Sequence, residues 1–241
     1  WIKELIAHRD ALFLPLWKLK APITVEKGAA KIVWLTGDEA KTLGAKSAEL
    51  ILLGLDSHTP RFAFSTHDQN ELPPILKSGQ FEDVRKAAMI MQNEQASILA
   101  QARSFVDWHQ RNRFCAQCGL KTELAEGGSS RKCKNQTCGA LHFPRTDPVV
   151  IMLVHNGEFC LLGRQDRFPQ GFFSVLAGFV EPGESIEEAV YREVSEETSV
   201  KVGKITYHSS QPWPFPSSLM IGCLAEATET EIKVDSKEIA E

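Results

Sequence analysis

No apolar run in this 241-residue chain approaches the about 20 residues that a membrane-spanning helix needs. The best, Leu50 to Leu55, is of strand length. Charge of neither sign dominates. Lys and Arg number 27 against 31 Asp and Glu, for a net charge of −4 and a pI near 6.0. Nothing there marks a general nucleic-acid or membrane binder. Internal repeats and low-complexity tracts are absent too, so a repeat array or a disordered linker protein is excluded. Cysteine is scarce outside one stretch: of six, four fall between Cys115 and Cys138. That clustering reads as a metal site rather than a disulfide framework and suits a reducing compartment. Cys160 and Cys223 lie in apolar runs and read as inert core thiols. The rest is ordinary globular composition, 43% hydrophobic and 24% charged, with length enough for two compact domains or one large one. The chain opens on Trp1 and stops at Glu241 after an apolar–polar alternation with no evident end. It reads as a fragment cut at both ends, so missing targeting signals carry no weight.

The first 78 or so residues hold no catalytic constellation. Lys31 to Leu35, Glu49 to Leu55 and Arg61 to Ser65 are expected strands between Gly, Asp and Pro punctuation. His58 and His67 stand alone and are expected in loops or at the surface. From Phe81 to Arg111 the pattern becomes helical. Val84, Ala88, Met91, Gln95, Ile98 and Ala102 recur three or four apart with no Pro or Gly between. After Pro148 strands are expected at Val149 to Val154, Phe159 to Leu162 and Ser174 to Ala177, then a tight turn and a helix.

Cys115-Ala-Gln-Cys118-Gly and Cys133-Lys-Asn-Gln-Thr-Cys138-Gly are two knuckle-like pairs. Zinc takes four soft ligands in a tetrahedron, and the Gly after each pair permits the tight turn. Four thiolates leave no open position, so the expected zinc is structural; His142 is a less favoured substitute ligand. Arg111, Arg113, Lys121, Arg131, Lys132 and Lys134 surround the quartet, against Glu123 and Glu126. A solvated face explains that mild bias as well as a binding surface does.

The stretch Gly178 to Val200 carries more information. Ser185 followed by Glu188 is a capping box, so a helix begins there. At about 100° per residue, Ile186, Ala189, Val190 and Val194 form one apolar face. Glu193 and Glu197 fall in the middle of it and Glu196 at its edge. Carboxylates buried there without a partner cost several kcal/mol each, so a cation is required, and hard divalent ions with oxygen ligands fit best. A second motif follows at Ser210-Gln-Pro-Trp-Pro-Phe-Pro-Ser-Ser-Leu-Met220, whose three prolines and two aromatics suggest a stiff loop.

The spacing of Gly178, Glu184, Arg192, Glu193, Val194, Glu196, Glu197 and Val200 resembles the Nudix box. Ser199 departs from it, standing where the family has Gly. With the cysteine quartet in front and the Pro-aromatic motif behind, the chain resembles the NADH pyrophosphatase branch of that family, whose members also remove NAD caps from RNA. It is more similar to the peroxisomal eukaryotic enzyme than to a bacterial one. The resemblance is close from Phe114 to Glu241 and holds in outline before that.

The resemblance implies an α+β protein: a Nudix α/β/α sandwich with a zinc ribbon and an N-terminal α/β subdomain. The expected domains are 1–110, ending in a long helix, 111–145 for the ribbon and 146–241 for a C-terminally truncated catalytic domain. Catalytic roles fall on Glu193, Glu196 and Glu197. Magnesium or manganese would be held by Glu193, Glu197, Glu238 and the carbonyl of Ala177, and zinc by Cys115, Cys118, Cys133 and Cys138. Substrate would meet Ala177, Gly178, a base-stacking Phe179, and Gln211, Pro212, Trp213, Pro214, Phe215, Pro216, Ser217 and Ser218. Arg192 would pair with Glu184 in a structural role, although a helical wheel turns it away from the carboxylate pair.

Phe143, in Phe143-Pro-Arg145, stands where the family has a Tyr that reaches the partner's site, so a homodimer is expected. The implied reaction splits NADH or NAD into AMP and nicotinamide mononucleotide, and trims NAD-capped RNA, in the cytoplasm or peroxisome and without membrane attachment. Two alternatives remain open: a Nudix hydrolase of ADP-ribose or diadenosine polyphosphates, and a non-enzymatic RNA-binding ribbon.

Overall fold

The computed structural model describes residues 1–66, 79–235 and 238–241. It divides into two compact units, Trp1–Arg145 and Thr146–Glu241, and the chain is of mixed α+β class.

In the first unit, Leu12–Leu16 runs parallel to Thr59–Ser65, which pairs antiparallel with Ile51–Asp56. Phe62 stacks on Phe13 at 5.4 Å, and both are buried with Phe64, Leu35 and Leu43. The 12–16 strand escapes sequence reading because it contains Pro15. Its place at the edge of the sheet makes the missing N–H harmless. A second antiparallel sheet joins Ala29–Ile32, Ala21–Glu26 and Gln80–Glu82. The strand expected at Lys31 to Leu35 therefore ends early, and Leu35 makes only an isolated bridge to Phe13. His58 sits in the turn between the 51–56 and 59–65 strands at φ +76°. His67 lies outside the described residues.

The single helix expected over Phe81 to Arg111 is three elements instead: a strand, a helix at Val84–Ala88 and a longer helix at Asn93–Arg111. Asp83 caps the first helix by accepting from the Lys86 N–H at 3.1 Å. The Ile90 carbonyl accepts from the Ala30 N–H at 2.9 Å, which commits that backbone to the sheet. Tertiary pairing interrupts a pattern that no Pro or Gly marks. Leu99, Ala102 and Val106 of the longer helix are fully buried.

The ribbon is a small antiparallel sheet of Thr122–Ala125, Ser130–Cys133 and Leu141–His142. Its first hairpin docks on the subdomain through Gly128, which lies at φ +95°, and any Cβ there would meet the Ile51 backbone. The Gly128 carbonyl accepts from His109 Nε2 at 2.8 Å.

In the second unit, the central strand Asp147–Asn156 runs parallel to Ser218–Ala227 and antiparallel to Leu176–Phe179 and Phe159–Cys160. Val202–Trp213 closes the far edge. Alternate residues Val150, Met152 and Val154 face the helix Ile186–Thr198, whose Ala189, Val190 and Val194 are buried against them. Cys223 is a core residue, but Cys160 is not. It stands exposed on a two-residue edge strand beside the exposed Phe159, so its apolar surroundings in sequence do not become a core.

The helix begins as its capping box predicts: Ser185 accepts from the Glu188 N–H, and Glu188 from the Ser185 N–H at 2.7 Å. It ends on Ser199 in the left-handed conformation, φ +60°. A Cβ is unfavourable there, and Ser199 Oγ offsets it with a 3.4 Å bond to the Lys233 carbonyl. Ser199→Gly is accordingly expected to raise the unfolding free energy by about 1 kcal/mol. Urea denaturation measures this, and a less stable variant would mean that the hydroxyl contact dominates.

Candidate active site

The residues just before the glutamate helix are held to it by one side chain. Arg192 donates from Nε and Nη2 to the Glu184 carboxylate at 2.6 and 2.9 Å, and from Nη2 to the Phe179 carbonyl at 2.8 Å. Glu184 also accepts from the Glu181 N–H at 2.9 Å. The Arg192 contact and then that backbone bond hold its carboxyl at about 2, well below the ordinary range. The Glu184 pairing is the one that the resemblance implied, but Arg192 does more than its wheel position suggests. Its Nη1 donates to Glu193 at 2.7 Å and Glu196 at 3.2 Å, because a long flexible stem overrides the direction of its Cβ. One guanidinium thus orders three carboxylates.

Glu193 lies under the Leu176–Phe179 strand. A Cβ at Gly178 would overlap its carboxylate, so this glycine is demanded by close approach and not by backbone conformation. Glu197, one turn further on, is 3% exposed, between the buried Val194 and Thr198 of the apolar face. Burial first, then the negative charges of Glu193, Glu238 and Glu196, push its carboxyl up to about 7. Glu196 does not turn inward: its side chain is 63% exposed. An edge position on the wheel becomes a solvent position once the sheet covers only the centre of the face.

Glu238 joins the group through the C-terminal segment. Ile239 enters the core against Gly163. Arg164 brackets the segment, accepting from the Ala240 N–H and donating its own N–H to the Glu241 carbonyl, each at 2.8 Å. Its guanidinium also holds Glu241 at 2.8 Å. Sequence reading missed Arg164, and a lone Arg after Gly163 offered no signal.

Strand register assembles the remaining positions. Phe179 and Met220 flank Val149, and Gln211 pairs with Met220. The exposed Phe179 ring and the Pro-aromatic motif therefore sit at the same end of the sheet, with Gly178 and Ala177 one and two rows further in. The motif is not the stiff loop expected. Gln211, Pro212 and Trp213 end a strand, Ser218 begins the next, and only the four residues from Pro214 to Ser217 turn. Pro212 is tolerated because this is the edge strand. Trp213 meets Phe215 edge-on at 5.2 Å, and Ser217 Oγ donates to Asp147 at 2.9 Å, tying the turn to the central strand. Phe143 belongs to the first unit and is exposed.

In the first unit, the sulfurs of Cys115, Cys118, Cys133 and Cys138 all lie within 4.8 Å of one another. Gly119 and Gly139 follow the pairs at positive φ, as the knuckle turns require. His142 Nε2 stands 3.3 Å from Cys115 Sγ, a neighbour of the quartet and not one of its four sulfurs. Four converging soft donors fit a structural zinc. The acidic group suits a different ion: carboxylate oxygens, one of them buried among like charges, fit a hard divalent cation.

A ridge of carboxylates under a glycine strand, on a mixed sheet with a Pro-aromatic turn at the same end, is the arrangement that the resemblance to the Nudix box leads one to expect. Three family models match in succession: an NADH pyrophosphatase-like rudimentary NUDIX domain over residues 6–108, an NADH pyrophosphatase zinc ribbon over 110–143 and a NUDIX domain over 144–241. The chain belongs to the Nudix family, in its branch of NADH pyrophosphatases and NAD-capped RNA hydrolases. It is 55% identical over 161 residues to NAD-capped RNA hydrolase NUDT12 of Macaca fascicularis and to that of Homo sapiens, covering 64% of this chain and 35% of each of those proteins. It is 42% identical over 190 residues to the mitochondrial NAD(P)H pyrophosphatase NUDT13 of Homo sapiens, covering 78% of this chain and 53% of that one. The chain spans about a third of the length of the first curated relatives that it matches.

Two outcomes are expected. The neutral form of Glu197 is favoured by folding, so the folded chain keeps a proton that the unfolded chain releases above its ordinary value of 4.5. Without divalent ions, the contribution of Glu197 to stability is then fully present below that value and is lost as pH rises towards 7, by on the order of a few kcal/mol. Glu197→Gln should flatten this slope in pH-dependent melting, and an unchanged slope would refute it. Gly178→Ala should displace Glu193 and lower kcat/KM by roughly 10²-fold with the fold intact by circular dichroism. Full activity would show that the close approach is dispensable.

Proposed function

We propose that this chain hydrolyses the pyrophosphate bond of NADH or NAD to AMP and nicotinamide mononucleotide, and removes NAD caps from RNA 5′ ends. The observation that carries the reading is Glu197, buried in the 186–198 helix with Glu193 and Glu238 acting on it, while the neighbouring 176–179 strand presents Phe179. The similarity to NAD-capped RNA hydrolase NUDT12 and NAD(P)H pyrophosphatase NUDT13 supports the substrate class.

Glu193, Glu197, Glu238 and the Ala177 carbonyl would hold magnesium or manganese, with Glu196 as a further ligand or the base that orients water. Bound there, the divalent ions supply neutralisation of the pyrophosphate oxygens and a water of lowered pKa. Arg192 holds Glu193 and Glu196 in position and keeps Glu184 ionised. Phe179 stacks on the nucleotide base, while Gln211 to Ser218 wall the other side of the same sheet end. A homodimer in which Phe143 reaches the partner's site, and a cytoplasmic or peroxisomal setting, complete the proposal on the strength of the family resemblance.

Glu197→Gln is expected to lower kcat by about 10²–10⁴-fold while folding is retained; near-normal turnover would remove its metal role. Parallel assays of NADH and ADP-ribose test the substrate. Faster NADH cleavage is expected, and preferential ADP-ribose cleavage would overturn the assignment.

A further inference from the structure

The first unit contains a cavity of about 520 Å³ between the Asn93–Arg111 helix, the 51–56 strand and the ribbon. Its base holds a buried cation, Arg131, only 6% exposed. Among the described residues, every partner of this guanidinium is neutral. Nε donates to Thr122 Oγ1 at 2.7 Å, Nη2 to the Thr122 carbonyl at 3.1 Å and Nη1 to His109 Nδ1 at 3.1 Å. His109 accepts because its Nε2 must donate to the Gly128 carbonyl. Burial keeps this imidazole neutral by pushing it down to about 4. Among the described residues no carboxylate forms an ion pair with Arg131. The charge that acts on it is the like charge of Arg113.

A buried, uncompensated charge costs several kcal/mol, and an anion is the natural relief. The rest of the lining agrees in sign. Lys46, Arg113 and Lys121 reach the cavity, and its one acid, Glu49, pairs with Lys46 at 3.7 Å. Three of the basic residues that flank the cysteine quartet in sequence thus converge on one concavity, which a merely solvated face would not require. Size and walls narrow the ligand. The volume falls within the roughly 300–1,000 Å³ of small-molecule sites, far beyond what inorganic phosphate fills. Ile51, Val106 and Leu124 form apolar walls, and the exposed Phe114 offers a ring at the mouth.

We propose that this cavity binds a nucleoside monophosphate, its phosphate on Arg131 and the surrounding cations and its base and sugar against the apolar walls and Phe114. The site is separate from the glutamate ridge, which belongs to the other unit, and does not depend on the reaction assigned there.

The test is calorimetric titration of the zinc-loaded chain, without added magnesium or manganese, with AMP, UMP and inorganic phosphate. AMP or UMP should bind more tightly than phosphate, and Phe179→Ala in the catalytic unit should leave that binding in place. Lys46→Ala combined with Lys121→Ala, both at exposed positions, should weaken it by roughly tenfold or more without changing NADH turnover. Arg131→Lys, checked for folding by its melting curve, should weaken it further, because a point charge replaces a planar fork. Absence of nucleotide binding, binding no tighter than that of phosphate, or binding abolished by Phe179→Ala and untouched by the lysine pair would each overturn the proposal.

Discussion

A carboxylate placed on the apolar face of a helix is a standing electrostatic problem, and the second unit is organised around it. Glu197 cannot reach solvent, and Glu193, Glu196 and Glu238 add negative charge around it. The helix tolerates the arrangement because Val190 and Val194 on the same face anchor it to the central strand, so the carboxylate is carried inward by its neighbours. Arg192 absorbs part of the charge at the N-terminal half of the ridge. Glu197 lies beyond the recorded bonds of that guanidinium. The group left with the least compensation is therefore the one best placed to gain from a divalent cation. Structural cost and chemical use sit on the same atoms.

The same logic, with the opposite sign, recurs in the first unit. Arg131 fixes the ribbon hairpin to the long helix through Thr122 and His109, a purely neutral set of acceptors. A ribbon of three short strands has little core of its own, and four thiolates on zinc supply the closure that packing cannot. Gly128, pressed on Ile51, then seats that closed ribbon on the subdomain.

Much of the site was legible in the residues themselves. The capping box of Ser185 and Glu188, the apolar face of the helix and the Cys pairs follow from local rules, and each stands where those rules put it. Features settled over longer distances were not legible. The helix expected from Phe81 is broken at Ile90 by a bond from Ala30, sixty residues earlier. The Pro-aromatic stretch reads as a loop because prolines discourage strands, yet an edge position needs no N–H from Pro212. Cys160 reads as core because its neighbours are apolar, and it is exposed because its strand has a partner on one side alone.

By itself the sequence determined which carboxylates share a helix face and which cysteines share a turn, since these depend on spacings of a few residues and on fixed helical and turn geometry. Only the tertiary structure decided which carboxylates are buried, that Glu193 fills the space denied to a Gly178 side chain, and that Arg164 and Ile239 deliver Glu238 to Glu197. It also decided that, among the described residues, Arg131 has no acidic partner. Those outcomes are set by which surfaces exclude water and which distant backbone groups pair, and no short-range periodicity records either.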